Sequence, residues 1–135
     1  MNKPISELVG TQIADIICDE PSKNWLFKFD SGSEFRIESL WRISNDKEVL
    51  LTDTDHEQKF GLPAPVNAMV EAKQLLGGKI TKALLTPVGD VHLTFSNGNC
   101  LEILIWSAGY ESWTLNAGKI LIVAQGGGTI TQFGE

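Results

Sequence analysis

The chain has 135 residues, 42% of them apolar and 21% charged, with a formal net charge of −6. That length and balance suit one globular domain. No apolar run of eighteen residues is present, which argues against a transmembrane helix, and the acidic surface repels phosphate backbones, which argues against a nucleic-acid binder.

The N-terminus, Met-Asn-Lys-Pro-Ile-Ser-Glu, has no apolar core of a signal peptide. Two lone cysteines, Cys18 and Cys100, read as buried or free thiols rather than a disulfide framework. Together these place the chain in a bacterial-type cytoplasm.

In chain order, a short turn is expected around Ile5–Val9. The β-branched run Gln12–Cys18 predicts a strand that ends at Asp-Glu-Pro-Ser. Trp25–Phe29 alternates, with Trp25, Phe27 and Phe29 on one face. Asp30-Ser-Gly-Ser33 is a turn, and Glu34–Glu38 returns with Phe35 and Ile37 on that same face. Arg42–Ile43 and Glu48–Thr52 predict short strands around Ser44–Lys47. Pro65–Leu76 carries an apolar stripe of helical period (Val66, Met69, Val70, Ala72, Lys73, Leu76), with Pro65 in the first turn and Gly77-Gly78 as the stop. Lys79–Leu85, Val91–Phe95, Leu101–Trp106, Trp113–Leu115, Lys119–Ala124 and Thr129–Phe133 predict strands. Leu101–Trp106 is apolar enough to be covered on both faces.

The two halves repeat one another. Leu8, Gly10 and Ile13 return as Leu75, Gly77 and Ile80. Phe27-x-Phe29-Asp-Ser-Gly32 returns as Leu93-x-Phe95-Ser-Asn-Gly98, and Ile37 as Ile103. Glu38-Ser-Leu-Trp41-Arg42-Ile43 resembles Glu111-Ser-Trp113-Thr-Leu115, and Val49-Leu-Leu51 resembles Ile120-Leu-Ile122. The expected fold is mainly β (α+β): two similar antiparallel β units, about 8–52 and 75–133, related by internal duplication. They would form a sandwich or barrel-like core, with one connecting helix at about 65–76. Halves this small bury too little surface alone, so one shared core is expected.

The ordered frame of Gly-x-x-Ile, Leu-x-Phe-x-x-Gly and Glu-Ser-x-Trp-Arg-Ile, closing on Tyr110-Glu-Ser-Trp113 and a Gly pair, resembles a family of small uncharacterised bacterial proteins. Its members carry Trp-Arg-Leu and Tyr-Glu-Ser/Ala-Trp motifs. Here Ile43 stands in place of Leu, and Gln125-Gly126 precede the Gly pair in place of Pro. The resemblance implies an accessory or immunity-type role and assigns no catalytic residue.

Site chemistry is sparse. His56 and His92 lie in different halves, and no zinc spacing or nucleophile elbow occurs. Asp53-Thr-Asp55-His56-Glu57 could hold a hard cation, but it lacks the Gly and spaced Glu of a calcium loop, and a solvated loop is the default. Gly126–Gly128 has no Lys-Ser/Thr after it and reads as a turn or bulge. Trp41 and Trp113 are expected to cover the ends of the core, with Arg42 paired to a neighbouring acid of the two Glu-Ser motifs. The competing reading makes Trp41, Arg42, Tyr110 and Trp113 anchors of a binding surface.

The charge is uneven. Residues 1–63 hold twelve acids against seven bases, and residues 64–135 hold five against four. The functional expectation is therefore a non-enzymatic binding or immunity-type protein. It would engage a basic protein partner through Asp53, Asp55, Glu57, Trp41, Arg42, Tyr110 and Trp113, with no cofactor, nucleic acid or membrane. The alternatives are a small-molecule binder or enzyme with a pocket between the repeats lined by Trp41, Trp106 and Trp113, and a structural dimerisation module.

Overall fold

A computed structural model describes residues 2–134 of the chain. A four-residue helix, α1 (Lys3–Ser6), precedes β1 (Ile13–Cys18), β2 (Trp25–Phe29), β3 (Glu34–Ile37), β4 (Leu40–Ser44) and β5 (Val49–Thr52). After a 3-10 turn at Asp53–Asp55 and a loop comes α2 (Ala68–Leu75). Then follow β6 (Ile80–Leu85), β7 (Val91–Phe95), β8 (Cys100–Leu104), β9 (Trp113–Ala117), β10 (Ile120–Ala124) and β11 (Ile130–Phe133). No described helix is long and apolar enough to cross a membrane.

The strands form two antiparallel sheets, ordered β1-β2-β3-β9-β10-β11 and β5-β4-β8-β7-β6. The sheets remain open, so the architecture is a sandwich and not a barrel. Each sheet joins a three-strand meander from one half of the chain to strands from the other. In each half the third strand leads directly into the opposite sheet. This interleaving puts both halves into a single core. Phe27, Phe35, Ile37, Trp41, Ile43, Leu93, Phe95, Leu101, Ile103, Trp113 and Leu115 are all almost fully buried in one cluster.

The alternating strands place these side chains on inner faces because successive residues point to opposite sides of a pleat. Aromatic edges then lock the layers. Trp25 and Trp41 meet at 5.0 Å and Phe27 and Trp41 at 5.3 Å, both near perpendicular. Such pairs contribute about 0.5–1.5 kcal/mol each beyond area burial.

The first hairpin of each half pairs in the same way, its bulge included. Ile13 pairs with Phe29 and Ile80 with Phe95. Each of these strands then skips one residue, between Ile13 and Asp15 and between Ile80 and Lys82. Trp25 faces Ile37 as Val91 faces Ile103. Trp113 lies opposite Ile37, and Trp41 opposite Ile103. The turns match too: Gly32 and Gly98 take φ of +91° and +90°, a conformation that glycine alone adopts without strain.

The connecting helix is shorter than its apolar stripe predicts. Asn67 caps it by accepting from the Val70 amide at 3.3 Å, so the helix starts at Ala68 and Pro65 stays outside. Its buried line is Ala68, Ala72 and Leu76, while Val70 is half exposed. The helix packs on both β1 and β5 and so closes one side of the sandwich. The β8 strand ends at Leu104, and its outward face is not uniformly apolar. Glu102 lies there, sheltered by charged neighbours rather than by a covering layer.

Candidate functional site

The topology sorts the connections between two ends. Hairpin turns at 30–33, 45–48, 96–99 and 118–119 occupy one end. Ile37 and Leu40, on successive strands in different sheets, mark the other end, where Trp113 pairs with Ile37, Ala124 with Trp113 and Leu104 with Leu40. The loops 19–24, 53–67, 86–90, 105–112 and 125–129 emerge there. The Glu38 amide donates to the Ser112 carbonyl at 2.8 Å and joins the two sides of this end.

The side built from the first half is acidic. Asp19 and Glu20 come from the β1–β2 loop, and Asp53, Asp55 and Glu57 from the segment after β5. Asp55 folds back to accept from the Thr52 amide at 2.9 Å, which tightens the 3-10 turn. Asp53 is half-buried, and burial pushes its carboxyl up, partly offset by backbone amides. Glu57 holds a left-handed φ of +68° while its amide donates to Val66, leaving its carboxylate in solvent. Lys23 is also left-handed, at φ +62°, and pairs with Glu20 at 2.6 Å. Lys23, Asp53 and Glu57 line a cleft of about 350 Å³ together with Cys18, Trp25, Thr54 and His56. Non-glycine residues in strained backbone are found where the surrounding structure over-determines them, often at functional sites.

Cys18, Glu20 and His56 bring their ligand atoms within 4.8 Å of one another, the one such grouping among the described residues. Its hydrogen bonding does not suit a preformed metal centre. His56 Nδ1 accepts the Ala68 amide at 3.1 Å, so the neutral ring carries its proton on Nε2. A metal-bound histidine instead donates its second N–H outward. Burial, aided by nearby carboxylates, pushes the Cys18 thiol up, which keeps it protonated. The cluster closes the loops by hydrogen bonds and packs His56 edge-on against Trp25 at 5.3 Å.

The side built from the second half is aromatic and glycine-rich. Trp106 and Tyr110, on the 105–112 loop, are 54% and 74% exposed, and Val88 on the 86–90 loop is 61% exposed. Ser107 Oγ accepts the amides of Gly109 and Tyr110 at 3.0 Å and holds the loop in shape. The triglycine turn packs between the two neighbouring loops. A Cβ on Gly126 would lie 2.6 Å from the Ala108 carbonyl oxygen, and one on Gly128 1.9 Å from that of Val88. The glycines are there for close backbone approach, as a turn reading predicts.

The sequence-derived residues therefore part company. Asp53, Asp55, Glu57 and Tyr110 share the loop end. Trp41 and Trp113 do not present a surface: they are 1% and 0% exposed, wedged between the sheets. Trp41 borders a 180 Å³ cleft with Leu40, Arg42, Thr52, Asp53, Thr54 and Leu104, which neither Trp106 nor Trp113 lines.

Arg42 pairs with neither Glu38 nor Glu111. Its guanidinium reaches across to Glu102 at 2.8 and 3.4 Å, on the outer face of the five-stranded sheet. Ser44 Oγ donates to the same carboxylate at 3.3 Å, and His92 Nε2 lies 3.4 Å away. Burial pushes the Glu102 carboxyl up. The hydrogen bond and charge of Arg42, with His92 and Ser44, outweigh that and hold it below the usual carboxylate range. Cys100, nearby on β8, has its thiol pushed up by burial, so it is no ready nucleophile. Asp19, Glu20 and Val88 join the surface without a motif to announce them, and Trp106, expected in a pocket between the repeats, joins it as well, because cross-sheet packing brings their loops together.

A two-sheet β-sandwich with a loop-bearing end is the class this geometry defines. The chain belongs to DUF6188, a family of unknown function, whose match covers residues 4–134. No curated protein and no solved structure matches it.

Proposed function

We propose that this protein is a non-enzymatic binding protein of the accessory or immunity type, and that it engages a basic protein partner through the loop end of the sandwich. The observation that carries the reading is the gathering at that one end of five carboxylates and two exposed aromatics, Trp106 and Tyr110. Loops held on a rigid sandwich are a common platform for recognition. Aromatic side chains supply anchors, while carboxylates at a rim speed and orient encounter with a positive surface. Arg42 borders this region beside Asp53, and Trp41 and Trp113 support it from within. The two unpaired cysteines accord with a reducing compartment such as a bacterial cytoplasm. We also infer that the matched pairing of the halves records an internal duplication, after which the loop end and the outer faces changed more than the core.

The test is affinity capture from the native host with the wild-type chain, the Asp53→Asn, Asp55→Asn, Glu57→Gln triple variant and Tyr110→Ala. The expected outcome is one basic protein retained by the wild type and weakened by both variants. Its association with the triple variant should be slower and less sensitive to salt. A partner that binds all three chains at the same rate at low salt overturns the proposal.

A further inference from the structure

The sandwich has four edge strands, and three of them are guarded. β1 carries a bulge and the charged Asp15, and α2 lies against it, with Met69 Sδ taking the Cys18 amide at 3.4 Å. β6 carries the matching bulge and Lys82, and its Ile80 is bonded by the Gly10–Thr11 linker. β5 pairs with β4 through an irregular register and packs against α2. Bulges, charges and covering elements are the means by which sheets avoid pairing with other chains.

β11 has none of these. Its register with β10 runs unbroken from Ala124–Ile130 to Leu121–Phe133, and no other described strand pairs with it. Its sequence, Ile-Thr-Gln-Phe, has neither charge nor proline. The whole segment Ile120–Gly134 contains no Asp, Glu, Lys, Arg or His, in a chain of net charge −6. Phe133 and Leu121, cross-strand neighbours beside this edge, are 52% and 37% exposed. The first half has no counterpart to this strand: after β5 the chain turns away through Asp53–Asp55.

We propose that β11 is a self-association edge, at which a second copy of this chain adds its own β11 antiparallel and extends the six-stranded sheet. A second copy fits because two acidic molecules approach with least repulsion along a neutral edge, and because antiparallel pairing about a twofold is self-complementary. The phase of the ladder gives the register. The Gln125 amide donates to the Thr129 carbonyl at 2.8 Å, so Thr131 bonds toward β10, and the backbone groups of Ile130 and Gln132 point outward. Ile130 of one copy then bonds Gln132 of the other, and the two Thr131 residues face each other across the axis. This edge is separate from the acidic loops, so the inference stands apart from the partner reading above.

Sedimentation equilibrium across a concentration series tests it. The wild type should reach twice the monomer mass of 14.8 kDa. Gln132→Pro removes an outward N–H and Thr131→Lys adds charge at the axis; each should remain at monomer mass with an unchanged circular dichroism spectrum. Should the proline variant not fold, the lysine variant carries the comparison. In a Cys18→Ser, Cys100→Ser background, Thr131→Cys should cross-link on mild oxidation, since facing residues at such a position lie within disulfide reach. A wild type that stays monomeric at its highest soluble concentration overturns the proposal. So does a dimer that persists in the folded edge variants.

Discussion

The two halves of the molecule share a skeleton and differ in what they show to solvent. Trp41 and Trp113 sit at equivalent points of the pairing, as do Phe29 and Phe95, and Gly32 and Gly98. On the outer faces the same correspondence sets Glu102 and Arg42 against Arg36 and Thr114. Inner positions must fill one interlocked volume, so each half tolerates little change there. Outer positions answer only to water and to cross-strand neighbours, so the five-stranded sheet carries an ion pair between the halves, Arg42 with Glu102, where the six-stranded sheet sets Arg36 opposite Thr114. The loop ends diverge furthest, one acidic and one aromatic, and the proposed recognition surface lies there.

Cutting the equivalent tryptophans is the strongest way to probe this comparison. Trp41→Ala and Trp113→Ala should each cost about 3–5 kcal/mol in urea denaturation, since both are fully buried. The phenylalanine variants should separate them. Trp113 Nε1 donates to the Gly89 carbonyl at 2.9 Å, whereas buried Trp41 Nε1 has no partner. Trp113→Phe leaves a buried acceptor unmet and should cost about 1–3 kcal/mol more than Trp41→Phe, which removes an unsatisfied donor. Equal losses would mean that the hydrogen bond to Gly89 adds nothing.

The glycine turns come next. Gly128→Ala places a Cβ against the Val88 carbonyl at a φ of +90° and should lower stability by about 3 kcal/mol. Gly32→Ala and Gly98→Ala meet open space at the same φ, so they pay for conformation alone, about 1–2 kcal/mol, and by similar amounts. Thermal melts that rank Gly128 with the hairpin glycines would remove the close-packing role of the triglycine turn.

The ion-paired cluster should give the smallest effect and a pH signature. Because the Glu102 carboxyl is lowered, its contribution is complete above the unfolded value of about 4.3 and is lost as pH falls through the folded value. Glu102→Gln should cost on the order of 1 kcal/mol at neutral pH, with the difference from wild type vanishing at acid pH. Its counterpart, Arg36→Gln, should stay within about 0.5 kcal/mol throughout. Chemical denaturation at several pH values distinguishes the two.

Much of the architecture was legible in residues 8–133 read alone. The period-2 alternation of Trp25–Phe29 and Val91–Phe95 marked strands whose buried faces are as expected, and Gly32 and Gly98 marked their turns, because both signals are local consequences of backbone geometry. Their recurrence identified which positions correspond. The sandwich required more than local information. Nothing near Ile37 or Ile103 says that β3 will pair with β9 and β8 with β4, since the pairing is decided by how two meanders bury one another. The same dependence hid the rest of the site. Arg42 found Glu102, sixty positions away, in place of a nearby acid. The tryptophans that follow the two Glu-Ser pairs lie in the core, which was the first of the two readings their recurrence offered. Composition determined that the chain would be acidic, and local alternation and turn residues that it would be largely β. Only the packing of one sheet against the other decided that its acids and exposed aromatics would meet at one end.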